Sequence, residues 1–169
     1  MSSQTYTRLA LQLVPEAVLL HDPFLHVCIG GVLHAIVQLH IYTDGSAVTT
    51  PAGNEASWAF VVLAEGITGQ LWILGTCCGA VVTDVHERGY IGADVADNFA
   101  AEVSAILWAM IWRAAVPATI PTSFGYDNIA AANLTRDVWI SRSDTLLVRL
   151  SAAVATVLSW RCPLSWGGT

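Results

Sequence analysis

The chain has 169 residues, of which 54% are hydrophobic and 12% charged, with 13 acids against 7 bases and a formal net charge of −6. All seven bases are arginine (Arg8, Arg88, Arg113, Arg136, Arg142, Arg149 and Arg161), and lysine does not occur. These figures describe one domain with a real core. They exclude a disordered tail, a nucleic-acid clamp acting through basic charge alone, and a disulfide scaffold, for which four cysteines are too few.

Residues 1–34 are weakly patterned and form an extension of uncertain structure, with a short helix at Leu9–Leu20 broken by Pro15 and a turn at His21-Asp22-Pro23. No basic residue precedes an apolar run at Met1-Ser2-Ser3-Gln4-Thr5, so a secretory signal is not expected. Phe24–Val37 and Val103–Trp112 are the longest greasy stretches. Both fall short of the ~20 residues needed to cross a bilayer, which assigns them to a core and predicts no membrane partner. Cys77-Cys78 are adjacent and Cys28 and Cys162 isolated, without metal-site spacing. They are expected to be buried thiols with no disulfide partner in a reducing, intracellular setting, nucleus or cytoplasm.

From residue 35 to 169 the pattern is that of one folded domain. Ala35–Thr43 alternates, with Val37, Leu39, Ile41 and Thr43 on one face, and Asp44-Gly45-Ser46 is expected to end that strand. Ser57–Ala64 and Leu71–Val82 follow as strands joined through Glu65-Gly66-Ile67-Thr68-Gly69, so the three runs predict an antiparallel meander. After an irregular stretch at Thr83–Ala96, Asp97 or Asn98 can cap a helix on which Glu102, Ile106, Met110 and Arg113 recur, stopped by Pro117 and Pro121. Trp108 and Trp112 share a face of it and are expected to pack on the sheet. Thr122–Tyr126 is a short strand, and Ile129–Leu134 a brief helix. Ser143-Asp144 caps a last helix with the apolar stripe Leu146, Leu147, Leu150, Val154, Val157 and Leu158. The order βββαβα, with a small extra helix, predicts an α/β fold with a mixed sheet flanked by helices.

Three acids stand out by position. Asp44 follows the first strand, Asp127 follows the fourth, and Glu102 lies early on the helix that crosses between them. A helix crossover makes the first and fourth strands parallel, so Asp44, Asp127 and the start of the helix reach one sheet end. Carboxylates packed together repel unless a cation sits among them, and oxygen ligands with few bases nearby suit Mg²⁺ or Mn²⁺. Taken singly, Asp44 before glycine is a common turn former, Glu102 a first-turn acid and Asp127 a helix cap. His86, in a loop and without a spaced partner, is expected to be solvated. His21, His26, His34 and His40 have no ligand spacing.

Ile41-Tyr42-Thr43-Asp44-Gly45-Ser46, Asn98-Phe99-Ala100-Ala101-Glu102-Val103-Ser104-Ala105-Ile106 and Gly125-Tyr126-Asp127-Asn128-Ile129-Ala130-Ala131 together resemble the successive motifs of ribonuclease H. The nearest flavour is the type 1 domain attached to reverse transcriptases of retroelements, and the resemblance spans roughly Ala35 to Trp160. It implies a ribonuclease H-like fold that cuts the RNA strand of RNA–DNA hybrids by two-metal hydrolysis, with two ions, Mg²⁺ or Mn²⁺, held by Asp44, Glu102 and Asp127. It also implies substrate contacts at Gly45, Ser46 and Asn98. The family's fifth strand, loop histidine and fourth acid find no matching positions, since no histidine follows His86 and no acid follows Asp144. Either the chain is truncated at its C-terminus, without the fifth strand and last helix, or Leu164-Ser165-Trp166 is a stub of the fifth strand. With so few bases, it is expected to hold hybrids weakly and salt-sensitively and to rely on a fused reverse transcriptase or other polyprotein domain. A catalytically inactive remnant kept as a binding or packing module is the alternative. An integrase or exonuclease of the same superfold is a weaker one.

Overall fold

The computed structural model describes residues 25–116, 119–138 and 145–168. The expected helix at Leu9–Leu20, the turn at His21-Asp22-Pro23 and the cap at Ser143-Asp144 lie outside the described residues. Strands β1 (Leu25–Ile29), β2 (Val32–Thr50), β3 (Gly53–Gly66) and β4 (Leu71–Ala80) precede helix α1 (Asn98–Ala115). Then come β5 (Thr122–Tyr126), the short helix α2 (Ile129–Thr135), helix α3 (Thr145–Arg161) and β6 (Leu164–Gly168). One sheet runs β4-β3-β2-β5-β6, with β1 on the first part of β2. β1, β3 and β4 pair antiparallel, while β2–β5 and β5–β6 are parallel, as a mixed sheet requires.

Several boundaries move, each for a local reason. The sheet begins at Leu25, within the expected extension, because Gly30 and Gly31 (φ +59° and +80°) close a two-residue hairpin between Ile29 and Val32. Both turn positions need positive φ, which glycine adopts without strain. Asp44-Gly45-Ser46 does not end β2. The strand stays paired with β3 through Asp44↔Ala59, Gly45↔Trp58 and Ser46↔Ser57 to Thr50↔Gly53, and the turn falls at Pro51-Ala52. A bulge between Ile36 and Gln38 shifts the alternation, so Ile36 rather than Val37 is fully buried beside Leu39, Ile41 and Thr43.

β6 corrects the expectation of a missing fifth strand and bears out its alternative, a strand at Leu164-Ser165-Trp166 that runs on to Gly168. Leu164 to Gly168 pair in register with Thr122 to Tyr126, and Trp166 stacks on Phe124 at 4.9 Å. The segment reads as featureless alone because only Leu164 and Trp166 face inward. The open edge of β5 supplies the backbone partners. The stripe expected on α3 is also displaced. Leu147, Ser151, Ala155, Leu158 and the following Cys162 are buried, whereas Leu146, Leu150 and Val157 are exposed. Leu147, Val154 and Leu158 of the expected stripe do pack inward, and the small residues Ser151 and Ala155 complete the side that lets α3 approach α1. The thiols do not all bury either. Cys28 and Cys78 are exposed, and all four are free. No helix among the described residues is long and apolar enough to cross a membrane.

α1 lies over β2 and β3 with Ala100, Ala101, Ala105 and Ala109 fully buried, which permits close helix–sheet packing. Trp108 stacks on Trp58 at 5.4 Å and Trp112 meets Phe60 at 6.3 Å, so both tryptophans pack on the sheet as expected. On the opposite sheet face, His40 binds Glu65 through Nε2 and Ser123 through Nδ1, each at 2.7 Å, bracing β3, β2 and β5 together. The α1 end is tied down by Arg113, which is 1% exposed. Its guanidinium donates to Thr122 Oγ1 at 2.7 Å and to the Val116 and Ile120 carbonyls, locking the loop that turns into β5. Burial lowers its pKa. Arg113→Ala is expected to destabilise the domain by about 3 kcal/mol, because two buried carbonyls lose a charged donor and a cavity opens. Urea unfolding checks this, and an unchanged midpoint would contradict the role.

Candidate metal centre

The centre is set where β2 and β5 leave their shared pairing. Their parallel register ends at Tyr42↔Gly125, and the Thr43 hydroxyl donates to the Gly125 carbonyl at 3.3 Å across the pair. Two residues beyond that last pair, each strand presents a carboxylate: Asp44 from β2 and Asp127 from β5. Both are exposed.

Glu102 arrives from α1, on its second turn. Asp97 caps that helix, its carboxylate accepting from the Ala100 N–H at 2.7 Å, which leaves Asn98 exposed at the helix start. Asn128 likewise caps α2 by accepting from the Ala131 N–H at 3.1 Å. In both places the cap is taken by a neighbour of the site residue, so Asp127 remains available. Gly45 sets how near Glu102 can come. A side-chain carbon there would lie 2.4 Å from the Ala101 carbonyl carbon and the Glu102 nitrogen, so only glycine lets α1 rest on β2 at this point. Its backbone is ordinary extended strand, and the requirement is space.

The result is one cluster. Ligand oxygens of Asp44, Glu102 and Asp127 all lie within 4.8 Å of one another. Glu102 is buried, at 4% exposure. Its carboxyl is pushed up from 4.5 to about 7, first by burial, then by the charges of Asp127 and Asp44 and a hydrogen bond with Asp127. The Gly45 N–H donates to it and opposes the rise. Among the described residues no arginine or histidine forms an ion pair with any of the three. Three converging oxygen donors with no neutralising base, one forced toward its neutral form, suit hard divalent ions such as Mg²⁺ or Mn²⁺.

All three acids singled out on sequence thus come together, and Ser46 and Asn98 stand exposed beside them. Gly45 is buried under α1. His86 is exposed, its backbone N–H bonded to Asp84 at 2.9 Å, in keeping with a solvated loop histidine. What sequence patterning missed is a groove of about 250 Å³ beside Asp44, reaching Ser57 and Cys78 on β3 and β4. No local motif marks it, because it arises from strand register.

No protein-family model matches the sequence, and no curated protein matches it. Solved structures do match. The RNase H1 of the halophilic archaeon Halobacterium salinarum superimposes with a TM-score of 0.55 at 17% identity, over 78% of this chain and 85% of that one. An N-terminal RNase H domain from Mycobacterium tuberculosis, solved as a fusion with maltose-binding protein, gives 0.55 at 18% identity over 79% and 82%. The RNase H domain of PFV gives 0.51 at 14% identity over 76% and 78%. At such identities the likeness is one of architecture: the mixed sheet and its helices form a ribonuclease H-like fold.

Two measurements probe the centre. With metal chelated, a raised Glu102 pKa makes its stabilising contribution complete below about 4.5, the unfolded value, and lost as pH rises through about 7. A shift of this size is worth up to about 3 kcal/mol. Thermal unfolding in chelator should therefore drop between pH 5 and pH 8 more for the parent than for Glu102→Gln, and Mg²⁺ should restore the parent at pH 8. A parallel fall in both would exclude Glu102 as the cause. Gly45→Ala should force α1 off β2 and cost at least about 2 kcal/mol, with Mn²⁺ affinity falling with it; unfolding and calorimetry report these separately.

Proposed function

We propose that this domain hydrolyses the RNA strand of RNA–DNA hybrids endonucleolytically, with Asp44, Glu102 and Asp127 holding two divalent ions, Mg²⁺ or Mn²⁺. The observation that carries the reading is the convergence of these three carboxylates within 4.8 Å, at the motif positions noted in the sequence, on a ribonuclease H-like scaffold. The carboxylate oxygens of Asp44, Glu102 and Asp127 would hold the ions. When bound, the ions supply an activated water and neutralise the departing oxygen. The protein's own residues do the rest. Glu102 must give up its proton before both its oxygens can serve, so ion binding and turnover rise with pH toward and beyond 7. Ser46 and Asn98, exposed at the mouth, offer a hydroxyl and an amide that donate to or accept from the sugar–phosphate strand. Gly45 keeps the third carboxyl in place.

Charge argues for a helper. Of the five described arginines, Arg113 is buried, which leaves Arg88, Arg136, Arg149 and Arg161 exposed against a formal −6. Phosphate neutralisation supplies most non-specific affinity, so the domain should hold hybrids weakly and lose them steeply with salt. A fused reverse transcriptase or other polyprotein domain would supply the missing grip.

A labelled RNA–DNA hybrid incubated with Mg²⁺ or Mn²⁺ tests the reading. Cleavage within the RNA strand is expected, with Asp44→Asn slower by more than about 100-fold, since even the supporting partners of metal ligands are worth 10–100-fold. Hybrid bound but left intact would replace the enzyme with a binding module. Equal cleavage by both proteins would mean that other residues hold the ions.

A further inference from the structure

Strand register builds a second feature at the centre. Asp44 pairs with Ala59, and Ala59 with Cys78, so the three stand in one row across β2, β3 and β4 on the face opposite α1. The next row runs Ser46, Ser57 and Ala80. On the other side the row is Tyr42, Val61 and Thr76, with the Tyr42 ring lying over Gly125 of β5. Small side chains thus floor a groove that starts at the Asp44 carboxylate and reaches Ser57, Cys78 and Gly79. Its volume is about 250 Å³, room for one sugar–phosphate unit rather than a duplex.

The chemistry of this groove suits a polar chain. The Ser46 and Ser57 hydroxyls lie 3.2 Å apart and each can donate or accept. The floor is held flat from beneath, where Trp58 donates through Nε1 to the Ala80 carbonyl at 3.1 Å. Gly79 makes this possible, since a side-chain carbon there would sit 2.7 Å from the Trp58 ring. Asp44 is the one formal charge of the lining. A phosphate-bearing chain therefore enters at the end where cations are held and meets only neutral donors beyond it.

We propose that this groove seats the sugar–phosphate unit of the nucleotide next to the cleaved bond, with Ser46 and Ser57 as its hydrogen-bonding partners. The inference rests on the function proposed above and fixes the direction in which the cut strand leaves the metal centre, across β3 toward β4. Strands are spaced about 4.8 Å apart, so Cys78 lies about 10 Å from Asp44. The strand should therefore cover its exposed thiol. Cys28 is also exposed but pairs with Leu33, eleven residues along β2 from Asp44, which places it more than about 30 Å away.

The test follows alkylation of the intact protein by N-ethylmaleimide, site by site, with and without an RNA–DNA hybrid in Ca²⁺, followed by peptide mass spectrometry. It is paired with Ala59→Trp, which fills the half-buried floor. Cys78 is expected to react at least about fivefold more slowly with hybrid while Cys28 is unchanged. Ala59→Trp is expected to raise KM about tenfold or more while its melting temperature and Mn²⁺ affinity match the parent. If the parent binds and cuts hybrid but Cys78 keeps its rate, or Ala59→Trp keeps its KM, the groove assignment is overturned and the nuclease reading stands. If hybrid is neither bound nor cut, that reading falls and the groove assignment with it.

Discussion

Three carboxyl groups whose oxygens come within 4.8 Å of one another repel unless a proton or a cation lies between them. Much of the structure serves to maintain that arrangement. Two carboxylates come from adjacent parallel strands, pinned by the Thr43–Gly125 hydrogen bond one step before they diverge. The third comes from a helix brought down by a glycine, and that helix is held at its far end by a buried arginine bonded into the following loop. Packing energy from the aromatic pairs under α1 supports a local electrostatic cost that no nearby base relieves. Burial and the charges of Asp127 and Asp44 push the Glu102 carboxyl up to about 7, toward its neutral form.

The parts legible in the sequence are those where one chemical requirement dominates. α1 begins and ends within a residue or two of its expected span, because Asp97 caps it and the apolar spacing is long and regular. Asp44, Glu102 and Asp127 were visible from the motifs and from the crossover rule, which together determine which strand ends meet. The parts that were not legible depend on partners distant in sequence. Asp44-Gly45 has the composition of a turn, yet β3 pairs with it on one side and α1 presses on its other face, so it stays extended. Leu164–Gly168 has almost no signal of its own and becomes a strand because β5 offers an edge. On α3, Leu147, Val154 and Leu158 of the expected stripe pack inward while Leu146, Leu150 and Val157 face solvent, and Ser151 and Ala155 complete the buried side. Arg113 counted as one of seven bases and proves to be a structural tie.

Charge and shape divide the work unevenly. The centre has a high density of negative potential and the remainder of the surface little positive potential, so attraction of a polyanion is weak at long range. On the proposed function, specific seating would come from close-range features: exposed hydroxyls, the amide of Asn98, and the groove that strand register opens beside Asp44. Such a domain would discriminate after encounter rather than by capture.

The bond between Thr43 and Gly125 joins residues 82 positions apart. Contacts of such long range form late, after the entropy of closing the intervening chain has been met. Neither the β2–β3 hairpin nor α1 alone brings two of the three ligands together. On the proposed function, ion binding would require the parallel β2–β5 pairing, and bound ions would then stabilise the finished state by mass action. On that function, the three-carboxylate centre would double as a latch engaged by the parallel β2–β5 pairing.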